Sequence, residues 1–166
     1  SGGGVIADLG HYFLDQMMWY LGWPEVMGVS ANVTRNAIEP AIPAEIKNDV
    51  EEHVDAYIRL AGGKTLSVVF SWITHIEGAN GIWLYGTEVG LRIGDEVVQF
   101  HDLYGKPVET RLPRPRRAED PNVNRDFIEA LREGRDPVTT GDEGVVISKI
   151  VDAIYASSES QEEVKV

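Results

Sequence analysis

The sequence predicts an α+β fold, in which a largely antiparallel, open-faced sheet of about six strands carries helices on one face. The chain begins with one segment of helical periodicity and ends with two more, whereas the residues between them alternate with a period of two. Glycines punctuate the alternating region at short intervals. Such turns indicate hairpins, and hairpins join antiparallel neighbours.

The first helix is predicted from Leu9 to Leu21, where apolar residues recur at helical spacing. Gly22 and Pro24 end it, because glycine suits a left-handed cap and proline cannot continue the backbone ladder. At about 100° per residue the helix has two unlike sides. The apolar side holds Leu9, Phe13, Leu14, Met17, Tyr20 and Leu21, and the polar side holds Asp8, His11, Tyr12, Asp15 and Trp19.

The strands follow this helix. Gly62-Gly63 predicts a two-residue hairpin, and Gly94-Asp95 predicts a tight turn. Trp72 and His75 come at the end of a strand, where edge positions are a better interpretation than a pocket lining. The predicted strands cover residues 25–36, 53–60, 65–74, 81–86, 89–93 and 96–100.

The last third of the chain is predicted to be a loop and two helices. Residues 102–121 are rich in proline and arginine and show no periodicity, which is typical of a surface loop. A helix over residues 122–133 places four apolar residues on one face and ends at Gly134, and a second helix covers residues 142–157. We predict one domain over residues 1–166. The four aligned apolar residues are Val123, Phe127, Ile128 and Leu131.

The composition excludes several classes of function. The chain has 166 residues with 27 acidic against 15 basic side chains, and its net charge of −12 repels nucleic acid and anionic membranes. Without cysteine there is no disulfide, thiolate metal site or cysteine nucleophile. The histidines lack ligand spacing, so no metal site is predicted, and no apolar run approaches the roughly twenty residues that span a bilayer.

Gly2, Gly4 and Ala7 match the spacing of a dinucleotide-binding fingerprint, but the context does not fit. No strand precedes the glycines in this sequence, and Asp8 places a negative charge where a pyrophosphate would lie. We interpret the glycines as a tight turn into the helix. No cofactor-binding residue is therefore predicted in this chain.

The polar side of the first helix is the main candidate site. Solvated helix faces are usually built from lysine, glutamate and arginine, and this one has none of them. A histidine and a tyrosine close to an aspartate can donate, accept and exchange protons. The other interpretation is that Tyr12 and Trp19 pack against a neighbouring domain while the acids cap the helix. Composition alone leaves both open.

Four motifs in order resemble a known family. The stretch GGGVIADLGHYFLDQMMWYLG resembles the start of the C-terminal domain of the glucose-fructose oxidoreductase and inositol dehydrogenase (Gfo/Idh/MocA) family. The segments VEEHVDAYIRLAGGKTLSVVFSW, WLYGTEVGLRI and RDFIEALREGRDPVTTGDEGVVISKIVDAIYASSES follow in the order of that domain. The similarity covers nearly the whole chain and is specific at the level of the family.

The resemblance implies an NAD(P)-dependent oxidoreductase that acts on a sugar, a polyol or a related carbonyl or alcohol substrate. In that family an N-terminal Rossmann domain binds NAD or NADP, and a C-terminal sheet domain closes over the substrate. This chain is expected to correspond to the second part, without the Rossmann domain and its catalytic lysine. We therefore expect the isolated chain to be inactive, and the complete protein to be cytoplasmic and a homo-oligomer through the sheet face.

The resemblance also assigns residues. Asp8 matches the family aspartate, and Tyr12 stands four residues later, where the dehydrogenase branch has histidine and other branches have tyrosine. His11 stands one place earlier, and Asp15 matches a position that faces the substrate in some members. The catalytic candidates are thus Asp8, Tyr12 and His11, with Asp15 in substrate binding. Helical geometry does not choose between Tyr12 and His11, which lie about 40° and 60° from Asp8.

Two alternative functions remain open from the sequence. Some relatives use the nicotinamide transiently for glycoside cleavage, so the net reaction would be hydrolytic. In a non-catalytic role, the open sheet face would be an oligomerisation or scaffold surface and the helix face would only pack.

Overall fold

The computed structural model describes residues 3–35, 37, 48–75, 80–113 and 122–166. Backbone contacts divide the chain into two compact units, Ser1–Thr74 with Gly134–Val166 and His75–Glu133. The single domain over residues 1–166 stays a prediction. In chain order the elements are a π-helical turn Ile6–Gly10, α1 His11–Leu21, β1 Val26–Arg35, β2 Glu51–Leu60, a 3-10 turn Ala61–Gly63, β3 Thr65–Ser71, β4 Ile82–Tyr85, β5 Val89–Ile93, β6 Val97–Leu103, β7 Lys106–Leu112, α2 Val123–Glu133 and α3 Gly141–Ser160.

The first unit is built on an antiparallel sheet with the strand order β1-β2-β3. The hairpin predicted at Gly62-Gly63 is confirmed, but its loop has the three residues Ala61–Gly63 instead of two. Both glycines have a φ of 74°, which side chains rarely adopt. Buried and exposed residues alternate along most of β2, so one face of the sheet is packed. α3 packs on β1 and contacts α1. The fully buried side chains include Ile6, Leu14, Met18, Val29, Val54, Ile58, Ile150 and Ile154.

The edge of β1 that faces away from β2 is covered by the end of α3 and the residues after it. Exposed strand edges invite pairing with other chains unless their backbone groups are occupied. Three alternate N–H groups of this edge have partners at 2.8–3.0 Å: Val29 donates to the Val164 carbonyl, Ala31 to the Ser157 hydroxyl and Val33 to the Ser158 hydroxyl.

The first helix differs from its prediction at the start and agrees with it at the end. The π-helical turn Ile6–Gly10 leads into α1, so the helical segment begins earlier than predicted. At the C-terminus Gly22 adopts a φ of 77° and donates its N–H to the Trp19 carbonyl at 3.1 Å. Trp23 donates to the Met18 carbonyl at 2.8 Å. These two bonds form a Schellman motif and confirm the predicted stop.

The predicted apolar side of α1 is confirmed in part. Leu14 and Met17 are buried as expected, and Met18 is fully buried beside them. Phe13 and Tyr20 are instead 42% and 39% exposed. The apolar side of α1 is therefore wider than the surface that neighbouring elements cover. Phe13 and Tyr20 lie at the border of the covered surface.

The second unit is an antiparallel sheet with the order β4-β5-β6-β7. Strands β4 to β6 confirm the sequence prediction, but the loop predicted over residues 102–121 is wrong for Lys106–Leu112, which form β7. Tyr104 and Gly105, with φ of 53° and 77°, make the tight turn, and Asp102 accepts the Gly105 N–H at 2.7 Å. The side chains of β7 are mostly exposed, so its sequence lacks the alternation of apolar and polar residues that predicts a strand. Residues 114–121 lie outside the described residues.

Helix α2 is confirmed as Val123–Glu133, and Gly134, with a φ of 67°, ends it. Asn122 caps its start, because its side-chain oxygen accepts the N–H groups of Asn124 and Arg125 at 3.1 and 3.3 Å. The aligned apolar residues of α2 are all exposed to about half or more: Val123 71%, Phe127 53%, Ile128 48% and Leu131 68%.

The α+β class with antiparallel strands is therefore confirmed. The described residues hold seven strands in sheets of three and four, where about six strands in one sheet were expected. The additional strand is β7.

A buried carboxylate anchors the N-terminal turn to the sheet. Glu51, at the start of β2, is 2% exposed, and its Oε1 accepts the Ile6 N–H at 3.0 Å. The Tyr155 hydroxyl on α3 interacts with the same carboxylate. Gly4 lies so close that a Cβ there would overlap the Glu51 carbonyl and carboxyl groups. The donors make burial of this charge tolerable.

Substitution Gly4→Ala is expected to destabilise the chain by about 3 kcal/mol, because the added methyl group must displace a buried and hydrogen-bonded side chain. The matched control is Gly144→Ala, since Gly144 lies exposed in α3 and a methyl group added there would have no neighbouring atom within 4 Å. That change is expected to stabilise by about 0.5–1 kcal/mol through helix propensity. Urea unfolding of both variants measures the two effects, and equal stabilities would contradict the anchoring role of Glu51.

Candidate functional site

The polar side of the first helix lies at the surface of the first unit. Tyr12 is 76% exposed and Trp19 is 63% exposed. Asp8 is exposed, whereas His11 and Asp15 are half-buried. The structure therefore places all five predicted residues of this side on one accessible stretch, which begins in the π-helical turn and continues along α1.

The π-helical turn changes how Asp8 is aligned with the residues after it. In a π turn the hydrogen bond spans five residues instead of four, so each residue rotates the chain by less than the α-helical value of about 100°. This smaller rotation brings Tyr12 closer to the direction of Asp8 and takes His11 further from it. Turns of this kind are frequent at functional sites. The periodicity of the sequence predicts a regular α-helix here, and the π turn departs from that prediction.

His11 has one ring nitrogen engaged with the backbone. Its Nδ1 lies 3.2 Å from the Ile6 carbonyl oxygen, and a carbonyl can only accept, so Nδ1 carries the proton in this contact. The same carbonyl accepts the His11 backbone N–H at the end of the π turn. In the neutral ring this leaves Nε2 with its lone pair as the remaining functional nitrogen of His11.

Asp8 is bound by a residue that sequence reasoning interpreted as a strand edge. The indole Nε1–H of Trp72, just after β3, donates to Asp8 Oδ2 at 3.1 Å. Trp72 is 44% exposed, so the contact lies at the rim of the accessible stretch. A tryptophan at the end of a predicted strand was the signal available in the sequence, but nothing in its spacing connected it with Asp8.

Asp15 lies beside a second carboxylate. Partial burial, and then the nearby Glu143 carboxylate, raise the pKa of Asp15 above its ordinary value of 3.8. Glu143 is fixed at the start of α3 by a capping box with Thr140, in which each residue accepts the backbone N–H of the other at 2.8 and 3.2 Å. The two carboxylates therefore remain close without a compensating cation among their described contacts.

Tyr155 belongs to the support beneath the site. Burial raises the pKa of Tyr155 to about 12, and the Glu51 carboxylate that accepts its hydroxyl adds to the effect. The Arg35 guanidinium, 5.8 Å from the ring centre, acts in the opposite direction. A hydroxyl held protonated in this way is a hydrogen-bond donor at all physiological pH values. Glu51 and Tyr155 both lie in segments that resemble the family, but nothing in the sequence indicated that they meet.

The described residues contain no group of three or more histidine, aspartate or glutamate side chains that could hold a metal ion. None of the helices in the described ranges is long and apolar enough to cross a membrane. The space at Gly4 is filled by the Glu51 carboxyl group, which leaves no room for a phosphate there. This packing supports the interpretation of the glycines as a turn, although Gly2 lies outside the described residues.

Comparison with protein families matches residues 1–92 to the GFO/IDH/MocA C-terminal domain. The chain belongs to this family. It corresponds to the C-terminal domain of Gfo/Idh/MocA oxidoreductases, which confirms the resemblance drawn from the four sequence motifs. A search of curated proteins gives no match.

Solved structures share the fold. The aldose-aldose oxidoreductase from Caulobacter crescentus, complexed with glycerol, is 22% identical over 100% of this chain and 48% of its own, with a TM-score of 0.76. A levoglucosan dehydrogenase with NADH and levoglucosan is 22% identical over 99% and 50%, with a TM-score of 0.77. An oxidoreductase domain protein from Kribbella flavida is 15% identical over 100% and 51%, with a TM-score of 0.78. The chain thus spans about half the length of these proteins.

Substitution Asp15→Asn is expected to stabilise the chain at pH 7, by about 0.5 kcal/mol or less because solvent screens the partly exposed pair. The folded pKa of Asp15 lies above its unfolded value, so the ionised group costs stability at neutral pH, and this cost vanishes as the pH falls through the folded pKa. The gain is therefore expected to shrink toward pH 3.8. Urea unfolding across this range measures it.

The control for this prediction is Glu143→Gln, which keeps a side chain able to form the capping box and removes the charge. In that background Asp15→Asn is expected to give a smaller gain. A loss of stability on Asp15→Asn at pH 7 would show that the carboxylate makes a favourable contact instead.

Proposed function

We propose that this chain is the substrate-binding and catalytic domain of an NAD(P)-dependent oxidoreductase that acts on a sugar, a polyol or a related carbonyl or alcohol substrate. Family membership and the sugar and polyol ligands of the similar solved proteins support this assignment. The observation that carries it is that Tyr12 is exposed on the same accessible stretch as Asp8, whose carboxylate accepts a hydrogen bond from the Trp72 indole. An N-terminal Rossmann domain is proposed to bind NAD or NADP.

In this reaction the nicotinamide, when bound, accepts or supplies the hydride at its C4. The residues of this chain handle the proton on the substrate oxygen. The Tyr12 hydroxyl is proposed to exchange the proton of the substrate hydroxyl or carbonyl, because Tyr12 is 76% exposed on the same accessible stretch as Asp8. Asp8 is proposed to accept a second hydrogen bond and to fix the orientation of substrate and tyrosine.

His11 and Asp15 are assigned supporting roles. The His11 ring is fastened to the Ile6 carbonyl through Nδ1, which leaves Nε2 able to bind a substrate hydroxyl. The π turn also directs His11 away from Asp8, whereas it brings Tyr12 toward it. Asp15, one turn further along α1, is proposed to contact the substrate as in the resemblance.

In the complete protein, Tyr12→Phe is expected to lower the chemical step by about 100-fold or more, the effect of removing a positioned proton donor. His11→Gln is expected to change mainly substrate saturation. Tyr20→Phe is the matched control, since Tyr20 is 39% exposed on the same helix and its hydroxyl accepts from Gln16 at 2.8 Å. It is expected to leave turnover unchanged.

Turnover and saturation of the three variants with a panel of sugars and polyols decide between the assignments. Loss of activity in His11→Gln with full activity in Tyr12→Phe would reverse the roles of the two residues. A glycoside cleaved without net change in NAD(H) would indicate the hydrolytic alternative.

We also propose that the protein self-associates through the outer face of the β1-β2-β3 sheet. Tyr57 and Val69 are 40% and 59% exposed on neighbouring strands of this face. Arg59 covers the Tyr57 ring at 5.1 Å and pairs with Glu163 at 3.1 Å, which gives the face a polar border. Asp55 and Ser67 lie opposite Val69 and Tyr57 in the register, so the face combines apolar and polar side chains, as protein interfaces commonly do.

Substitution Val69→Glu is expected to convert the self-associated protein to a monomer, because it places a second carboxylate opposite Asp55 on a face that association would desolvate. Val145→Glu is the control, since Val145 is similarly exposed at 54% but lies on α3. Light scattering of the purified protein over a range of concentrations measures the mass. A strictly monomeric wild-type protein would refute the association.

A further inference from the structure

The hydrogen bond between Trp72 and Asp8 joins two segments that lie 64 residues apart in the sequence. We propose that Trp72 is a positioning residue, which fixes the Asp8 carboxylate in its working orientation through the indole N–H. This inference rests on the proposed function, since it assigns to Asp8 a part in the reaction. It adds to that function a residue from the end of β3, outside the N-terminal segment that holds the catalytic candidates.

Trp72 is itself held rigidly. Its backbone N–H donates to the Glu52 carbonyl at 2.9 Å, which ties the end of β3 to β2. Glu52 has no exposed surface, and its carboxylate accepts from the Asn48 side chain at 2.5 Å and from the Ala37 N–H at 2.7 Å. The indole therefore projects from a backbone that is hydrogen-bonded to a buried residue of β2.

A second contact brings the same two segments together. Phe13 at the start of α1 stacks on Phe70 of β3, with the ring centroids 6.2 Å apart. Stacked rings keep two elements at a set separation but allow one ring to slide over the other. A hydrogen bond to a carboxylate is directional and charge-assisted, so it also sets an angle. The phenylalanine pair thus brings α1 to the sheet, and the tryptophan sets the angle of the Asp8 side chain.

The bond occupies one oxygen of Asp8 and leaves the other available. Among the hydrogen bonds between described residues, Oδ2 accepts from Trp72 and Oδ1 has no protein donor. An exposed carboxylate without the indole would rotate freely about its side-chain torsions and lose entropy on binding substrate. With the indole in place, Oδ1 is presented in a fixed direction for a substrate hydroxyl.

The first test measures the link itself in this protein by NMR. In Asp8→Ala, exchange of the Trp72 indole N–H with solvent is expected to become about fivefold faster, the effect of losing one hydrogen bond. Trp83 is the internal control because it is also 44% exposed but lies on β4, and its exchange is expected to stay unchanged. Equal exchange of the Trp72 indole in both proteins would overturn the proposal. This measurement does not depend on any enzymatic activity.

The second test uses kinetics of the complete protein. Trp72→Phe keeps an aromatic ring and removes the donor, so kcat is expected to fall about tenfold while KM changes less than about twofold. Trp83→Phe is expected to behave as wild type. Because Trp72 acts through Asp8, the double variant Asp8→Ala with Trp72→Phe is expected to be no slower than Asp8→Ala alone.

The outcomes separate this inference from the proposed function. If both single variants are slow and their effects multiply in the double variant, Trp72 acts independently of Asp8 and the positioning role is overturned while the function stands. If Asp8→Ala keeps full activity, the catalytic assignment of Asp8 fails and the positioning role fails with it, even when the exchange measurement shows the hydrogen bond.

Discussion

The N-terminal turn of the first unit depends on one buried carboxylate. Glu51 accepts a hydrogen bond from the backbone of Ile6 and interacts with the hydroxyl of Tyr155, so it joins the turn, β2 and α3 at a single point. An ionised group with so little exposure is tolerated only while these donors are present. Gly4 packs directly against Glu51. This contact fixes the backbone that leads into α1, on the N-terminal side of all candidate site residues.

The candidate site is built outward from this anchor. The π turn directs Asp8 and Tyr12 to the surface, the Ile6 carbonyl engages His11, and the end of β3 supplies the tryptophan that holds Asp8. Local sequence therefore provides the reactive groups, whereas their orientation comes from residues distant in the chain. In a site of this kind the reactive side chains come from one short segment, and contacts in the tertiary structure set their orientation.

The fold class, most of the strands and the glycine stops of α1 and α2 followed from periodicity and glycine turns, because these signals are local. β7 did not, since its exposed side chains left no pattern of burial, and the π turn did not, since the spacing of apolar residues cannot distinguish an extra residue per turn. The candidate residues came from motif spacing and residue chemistry. Trp72, Glu51 and Tyr155 were missed because their roles arise from contacts between distant segments.

The covered edge of β1 determines what kind of assembly the first unit can form. Its outward N–H groups at Val29, Ala31 and Val33 are occupied by Val164 and by two serine hydroxyls, so an incoming strand finds no donors there. Growth of the sheet by strand addition, which leads toward fibrous aggregates, is blocked along this side. Recognition on this side of the unit then rests on side chains, which evolution can alter one position at a time without rebuilding the backbone ladder.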